Sequence, residues 1–191
     1  MPSPIRIALL ALVAALALAP AAAAGKKKTV KLAPKGATTL ALDEGAATAL
    51  GSLGIAVAPL KPARAGEAGI AFPITAGKLN AKTYAGQIKH SGGLSLTRGS
   101  TRVDLRNFTI NVDKAPDLTA RVGSARVSIL DLDLSDAKIS AKGRTLTIAG
   151  VKATLTDDAA GALNAAFGTD AFKEGLEIGT ATVSGRAAKR H

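Results

Sequence analysis

The sequence predicts a mainly β protein of the α+β kind: antiparallel strands in a β-sandwich-like or meander sheet, with two short alanine-rich helices. Three observations carry this. Between residues 82 and 151, apolar and polar side chains alternate with the two-residue period of a half-buried strand. Ser91-Gly92-Gly93, Arg98-Gly99-Ser100 and Lys142-Gly143-Arg144 punctuate that alternation as tight turns do. Two segments, 43–52 and 156–167, are rich in alanine and lack β-branched runs, so they read as helices.

From the N-terminus, Arg6 precedes an unbroken apolar run of 12 residues from Ile7 to Leu18. Pro20 breaks the run, and Ala21 to Ala24 supply a small-residue cleavage site. This order of charge, apolar run and small residues is that of a secretory signal over residues 1–24. A helix of that length rises about 18 Å, short of the ~30 Å hydrocarbon core. Residues 25–37 are expected to form a basic, flexible tail. Its lysines Lys26, Lys27 and Lys28 are candidate contacts to an anionic membrane surface or a cell-wall polymer. Residues 38–185 then form one β-rich domain, with a loop at 59–69, and residues 186–191 a second basic tail. No later apolar stretch is long enough for a second membrane segment.

Inside the domain, Tyr84, Gly86, Ile88 and His90 share one parity, and Leu94 and Leu96 open the partner strand. Val103 and Leu105 point one way while Phe108, Ile110 and Val112 take the other parity, which predicts a β-bulge at Arg106-Asn107. The same slip separates Val127 and Ile129 from Leu130, Leu132 and Leu134. Asp43 and Thr156 (or Asp157) are the expected N-caps of the helices, and Gly51 or Gly54 and Gly168 their stops. The helices also resemble each other: at an offset of 113 residues, Leu42 matches Leu155, Ala46 matches Ala159 and Leu50 matches Leu163.

Composition narrows the chemistry. The absence of cysteine excludes disulfides, thiolate metal sites and cysteine nucleophiles. With two histidines and no tryptophan, the chain lacks the side chains most hydrolytic and redox sites use, and no enzyme activity is expected. No G-x-S-x-G motif is present, and His191 ends the chain, so a triad would have to use His90. Asp131, Asp133 and Asp136 superficially resemble a calcium loop, but Asp136 and Lys142 stand where such a loop needs glycine and glutamate. They read as a solvated strand face, and no metal site is expected. Asn107-Phe108-Thr109 fits the glycosylation triplet but falls within a strand. The formal charge of +11 favours an anionic partner. Nucleic acid is not expected, because the five aromatics are scattered and no nucleic-acid motif occurs. The ligand candidates are Tyr84 and His90: tyrosinate can hold haem iron, and histidine can hold or support it.

The segments "GIAFPITAGKLN", "GQIKHSGGLSL" followed by "VDLRNFTINVD", and "GVKATLTDDAAGALNAAFGTDAFKEGLEIGTATV" resemble the HtaA domain, a secreted haem-transport-associated module. The match runs from Gly69 to Val183 in the family's order of elements. The resemblance implies a β-rich exported domain and, in haem-binding members, a tyrosine ligand supported by a histidine. The region before Gly69, where that tyrosine would stand, holds neither tyrosine nor tryptophan, and His90 does not align cleanly with the family's glycine-rich "G-H-x-G" region. The expectation is a non-enzymatic, HtaA-like binding or interaction module at the cell envelope. No cofactor is expected, with haem the ligand to test. The alternative is a structural wall- or membrane-surface-associated protein without a small-molecule site.

Overall fold

The computed structural model describes residues 28–189. The proposed signal segment, Lys26, Lys27 and His191 lie outside the described residues. In chain order the elements are β1 (Thr29–Leu42), α1 (Glu44–Ser52), β2 (Ala56–Leu60), β3 (Arg64–Gly66), β4 (Gly69–Asn80), β5 (Gly86–His90) and β6 (Gly93–Arg98). There follow β7 (Thr101–Val112), β8 (Asp117–Val122), β9 (Ala125–Asp133), β10 (Lys138–Lys142), β11 (Thr145–Leu155), α2 (Asp157–Phe167) and β12 (Glu177–Ala187).

The mainly β class with two short helices holds; the sandwich or meander arrangement does not. Eight strands pair in a closed ring, β1-β4-β5-β7-β8-β9-β11-β12 and back to β1, every pairing antiparallel. β2 and β6 extend one edge of β7, β3 flanks β4, and β10 flanks β11. The physical reason for closure is β1, which pairs with β12 on one edge and β4 on the other, so no ring edge is left unpaired.

β1 comes from the stretch read as a tail. The strand begins at Thr29, and Leu32 is buried while Lys31 and Lys35 face solvent. The expected loop at 59–69 likewise contains the end of β2, all of β3 and the start of β4. At the other terminus β12 runs to Ala187, into the second expected tail.

Both parity slips are bulges. Asn107 has a positive φ of 50°, and the β7–β8 register shifts between Arg106 and Thr109. This lets Leu105 and Phe108 both face inward. The β8–β9 register shifts next to Ile129, so Ile129 and Leu130 are both buried although consecutive.

Asp43 caps α1 by accepting from the Ala46 amide at 3.0 Å, and Thr156 caps α2 by accepting from the Ala159 amide at 3.2 Å. Gly168 ends α2 with φ 57°. The related strand–helix units stand apart in sequence but meet in space. β1 and β11 are the two neighbours of β12, so α1 and α2 leave the barrel at the same end and lay their buried faces, Ala46 and Leu50, Ala159 and Leu163, over it. Within the core, Phe72 and Phe108 pack edge to face with centroids 4.9 Å apart.

Candidate functional site: an apolar barrel interior

Inward-facing residues alternate along every ring strand: Thr38, Leu40 and Leu42 on β1, Ile148, Val151, Ala153 and Leu155 on β11, Ala181 and Val183 on β12. They surround a cavity of about 120 Å³ that reaches from Ala46 and Leu50 of α1 down the barrel to Val112 and Leu134. Thr38 is the one polar residue on the described wall; the rest are aliphatic or phenylalanine. An eight-stranded barrel is just wide enough to be filled by side chains or to hold one small ligand. Small side chains at Ala46, Ala49, Ala153, Ala171 and Ala181 are what leave this one partly empty. At ~24 cal/mol per Å³ such a void costs about 3 kcal/mol of stability when nothing occupies it. Voids of this polarity stay dry and take apolar guests.

His90 and Thr38 form the buried polar point of the barrel. Nδ1 of His90 lies 3.2 Å from the carbonyl oxygen of Phe108, and Nε2 lies 2.7 Å from the Thr38 hydroxyl. A carbonyl can only accept, so Nδ1 carries the proton and Nε2 accepts from Thr38. Burial pushes the imidazole pKa down to about 4, only partly opposed by the Phe108 bond. At neutral pH His90 is therefore uncharged, with both ring nitrogens engaged inside the protein.

Tyr84 lies outside β5, on the turn joining β4 to β5, half-buried and with φ 57°. Its amide donates to the Asn80 carbonyl at 3.0 Å. It does not line the cavity, and neither does His90. The two are thus not brought together on one strand face as their shared parity suggested: Ile88 and His90 point inward, while the left-handed backbone at Tyr84 takes that ring off the strand. Lys28 is exposed at the mouth of β1. Asp131 and Asp133 face outward on β9, with Leu132 buried between them. Among the described residues no cluster of histidine and acidic side chains is arranged to hold a metal ion.

Thr38 escaped the sequence reading, although its parity with Leu40 and Leu42 marks it as inward-facing. The cavity itself has no sequence signal. It arises because small residues from distant strands come to the same level of the barrel.

These features define a closed β-barrel domain with an apolar interior and, among the described residues, no titratable side chain on its wall. Neither a scan of protein-family models nor a search of curated proteins finds a match. Among solved structures, the C-terminal domain of HtaA from Corynebacterium glutamicum superposes with a TM-score of 0.64 at 14% identity, over 83% of this chain and 99% of that one. A histidine-to-alanine variant of the same domain, crystallised as a domain-swapped dimer, gives a TM-score of 0.56 at 14% identity, over 78% of this chain and 95% of the other. The chain has the HtaA-like fold.

Proposed function

We propose that this chain is an exported, non-enzymatic binding module of the cell envelope, and that the molecule it takes is apolar and lies inside the barrel. The observation that carries the reading is the composition of the cavity wall. It offers contact area to a hydrocarbon, and its only hydroxyl is already bonded to His90. Among the described residues no titratable side chain lines it, which leaves proton transfer without a donor or acceptor on the wall. Export is supported by the charged, apolar and small-residue order of residues 1–24.

Haem, which the family resemblance implies, does not fit these residues. The cavity of about 120 Å³ has room for a guest the size of benzene and none for a porphyrin. His90 spends both nitrogens on Thr38 and Phe108, and Tyr84 sits on the turn beyond β5.

The test uses the purified chain without residues 1–24. Titration with benzene, whose size suits a void of about 120 Å³, should give saturable calorimetric binding at one molecule per chain. Ala153→Leu, which fills the cavity from β11, should weaken it at least tenfold while the far-ultraviolet spectrum stays that of the parent. Absence of saturable binding in the folded parent, or binding indifferent to Ala153→Leu, would overturn the reading. Hemin added in parallel should leave its Soret band unshifted. A shift abolished by Tyr84→Ala or His90→Ala would restore haem in place of the apolar ligand.

A further inference from the structure

β7, β8 and β9 set three arginines side by side on the outside of the barrel. Arg106 stands opposite Arg121, and Arg121 opposite Arg126. Arg102 shares that face of β7, and Asp104 between Arg102 and Arg106 bonds both, at 2.8 and 3.0 Å. Four arginines and Asp104 give this end of the face a local charge of +3 (four minus one), with Asp117, Asp131 and Asp133 farther along β8 and β9. Among the described residues neither Arg121 nor Arg126 has an ion-pair partner. Arg126 is held across the strands by hydrogen bonds, 3.1 Å to the Thr119 hydroxyl and 3.1 Å to the carbonyl of Asn107 at the bulge.

Like charges placed directly opposite on neighbouring strands destabilise a sheet. Here the arrangement occurs twice in succession, and Arg126 is bonded over β8 to β7, towards the other two arginines rather than away from them. The residue type is selective too. Lysines outnumber arginines in the whole chain, yet β7, β8 and β9 carry arginine and no lysine. The guanidinium fork suits the bidentate oxygens of phosphate, which the ammonium group of lysine meets only as a point charge.

The geometry points to a docking surface for a linear, phosphate-bearing polyanion, laid across the strands over Arg106, Arg121 and Arg126. With strands ~4.8 Å apart, the backbone positions of the row span about 10 Å, and the Arg126 guanidinium reaches back over β8 towards Asn107 on β7, which gathers the charges beside Arg106 and Arg121. A lipid surface fits less well. The one exposed large apolar residue among those described, Ile139, lies on β10 and not on this face, so no side chain here would enter a bilayer. This surface is on the outside of the barrel and does not depend on what the interior holds.

The test measures affinity of the same chain, residues 25–191, for long-chain inorganic polyphosphate as a function of salt. Arg106→Gln with Arg121→Gln should lower affinity at least tenfold at low salt. It should also reduce the slope of log K against log salt by about 1.4, at ~0.7 for each phosphate left without its arginine. Lys138→Gln with Lys142→Gln removes equal charge from β10 and should change both far less. Equal losses in the two variants would reduce the effect to net charge and overturn the proposal, as would an unchanged slope in the arginine variant. Arg121→Gln alone, which breaks no described ion pair, keeps the test decisive if the double variant folds poorly. Binding to phosphatidylglycerol vesicles with the same arginine dependence, and none to polyphosphate, would overturn the choice of partner.

Discussion

The hydroxyl of Thr38 donates to Nε2 of His90 across 2.7 Å, joining β1 to β5 over the intervening strand β4. With Nδ1 bonded to Phe108 on β7, one imidazole ties three staves of the barrel together. The polar atoms are matched, so the group sits in an apolar interior without an orphaned donor or acceptor.

Breaking that match should cost more than the hydrogen bond alone. Thr38→Val keeps the shape and leaves Nε2 buried without a donor, an expected loss of about 1–3 kcal/mol. Thr38→Ser retains the hydroxyl and should recover part of it. Urea unfolding of the three proteins at pH 7 checks this; equal midpoints for Val and Thr would show that the hydroxyl contributes nothing.

The depressed pKa of His90 sets an acid limit on stability. Its folded value of about 4 lies below the unfolded 6.5, so as pH falls the unfolded chain takes up the proton first. Stability from this group is therefore full above about pH 6.5, declines between 6.5 and 4, and is lost below, roughly 3 kcal/mol in all. Urea midpoints measured from pH 7.5 to 4.5 should fall accordingly, and His90→Gln should flatten that slope. A parent curve level across the window would contradict the burial of this imidazole.

The two helix caps should differ in worth. Asp43 serves only the Ala46 amide, whereas the Thr156 hydroxyl accepts from Ala159 and lies 2.9 Å from the Ser128 carbonyl, to which it donates. Asp43→Ala should cost about 1 kcal/mol and Thr156→Ala nearer 2. Thr156→Ser should rescue most of the difference. Thermal melts of the set decide it, and a larger loss at Asp43 would reverse the ranking.

Two glycines with positive φ separate backbone strain from steric closure. Gly179, the third residue of β12, stands opposite Leu42, and a Cβ there would run into the Ala41 carbonyl oxygen. Gly123, in the β8–β9 turn, has nothing within 4 Å of the same position. Gly123→Ala should cost about 1 kcal/mol, the left-handed penalty. Gly179→Ala should forbid the β1–β12 approach and leave little folded protein. Soluble yield and melting temperature report both.

What the sequence made legible was local. The bulge at Asn107 could be read because its parity slip lies within a few residues, and the caps at Asp43 and Thr156 because they border a change of period. β1 was hidden by its own outward face. Lys31, Pro34, Lys35 and Gly36 look like tail residues unless Val30 and Leu32 are seen to alternate with them. Closure was not legible at all, since it depends on pairing between residues more than a hundred positions apart. The interior site was missed for the same reason: Thr38, Phe108 and His90 lie on three strands, and nothing in their spacing announces that they meet. Tyr84 shows the opposite failure, where a parity argument was extended through a turn whose backbone does not obey it.

β12 has a consequence for how the molecule is made. Its pairings with β1 join residues 137 to 155 positions apart, from Leu42 with Gly179 to Leu32 with Ala187. It is also the last of the twelve described strands to be synthesised. A nascent polypeptide that has passed residue 170 still holds a gap between its first and eleventh strands, with backbone amides and carbonyls exposed on both sides. Sealing must wait until β12 has been made, so assembly should be slow for its size and all-or-none. A ribosome that stops short of that stretch releases an open sheet rather than a smaller barrel.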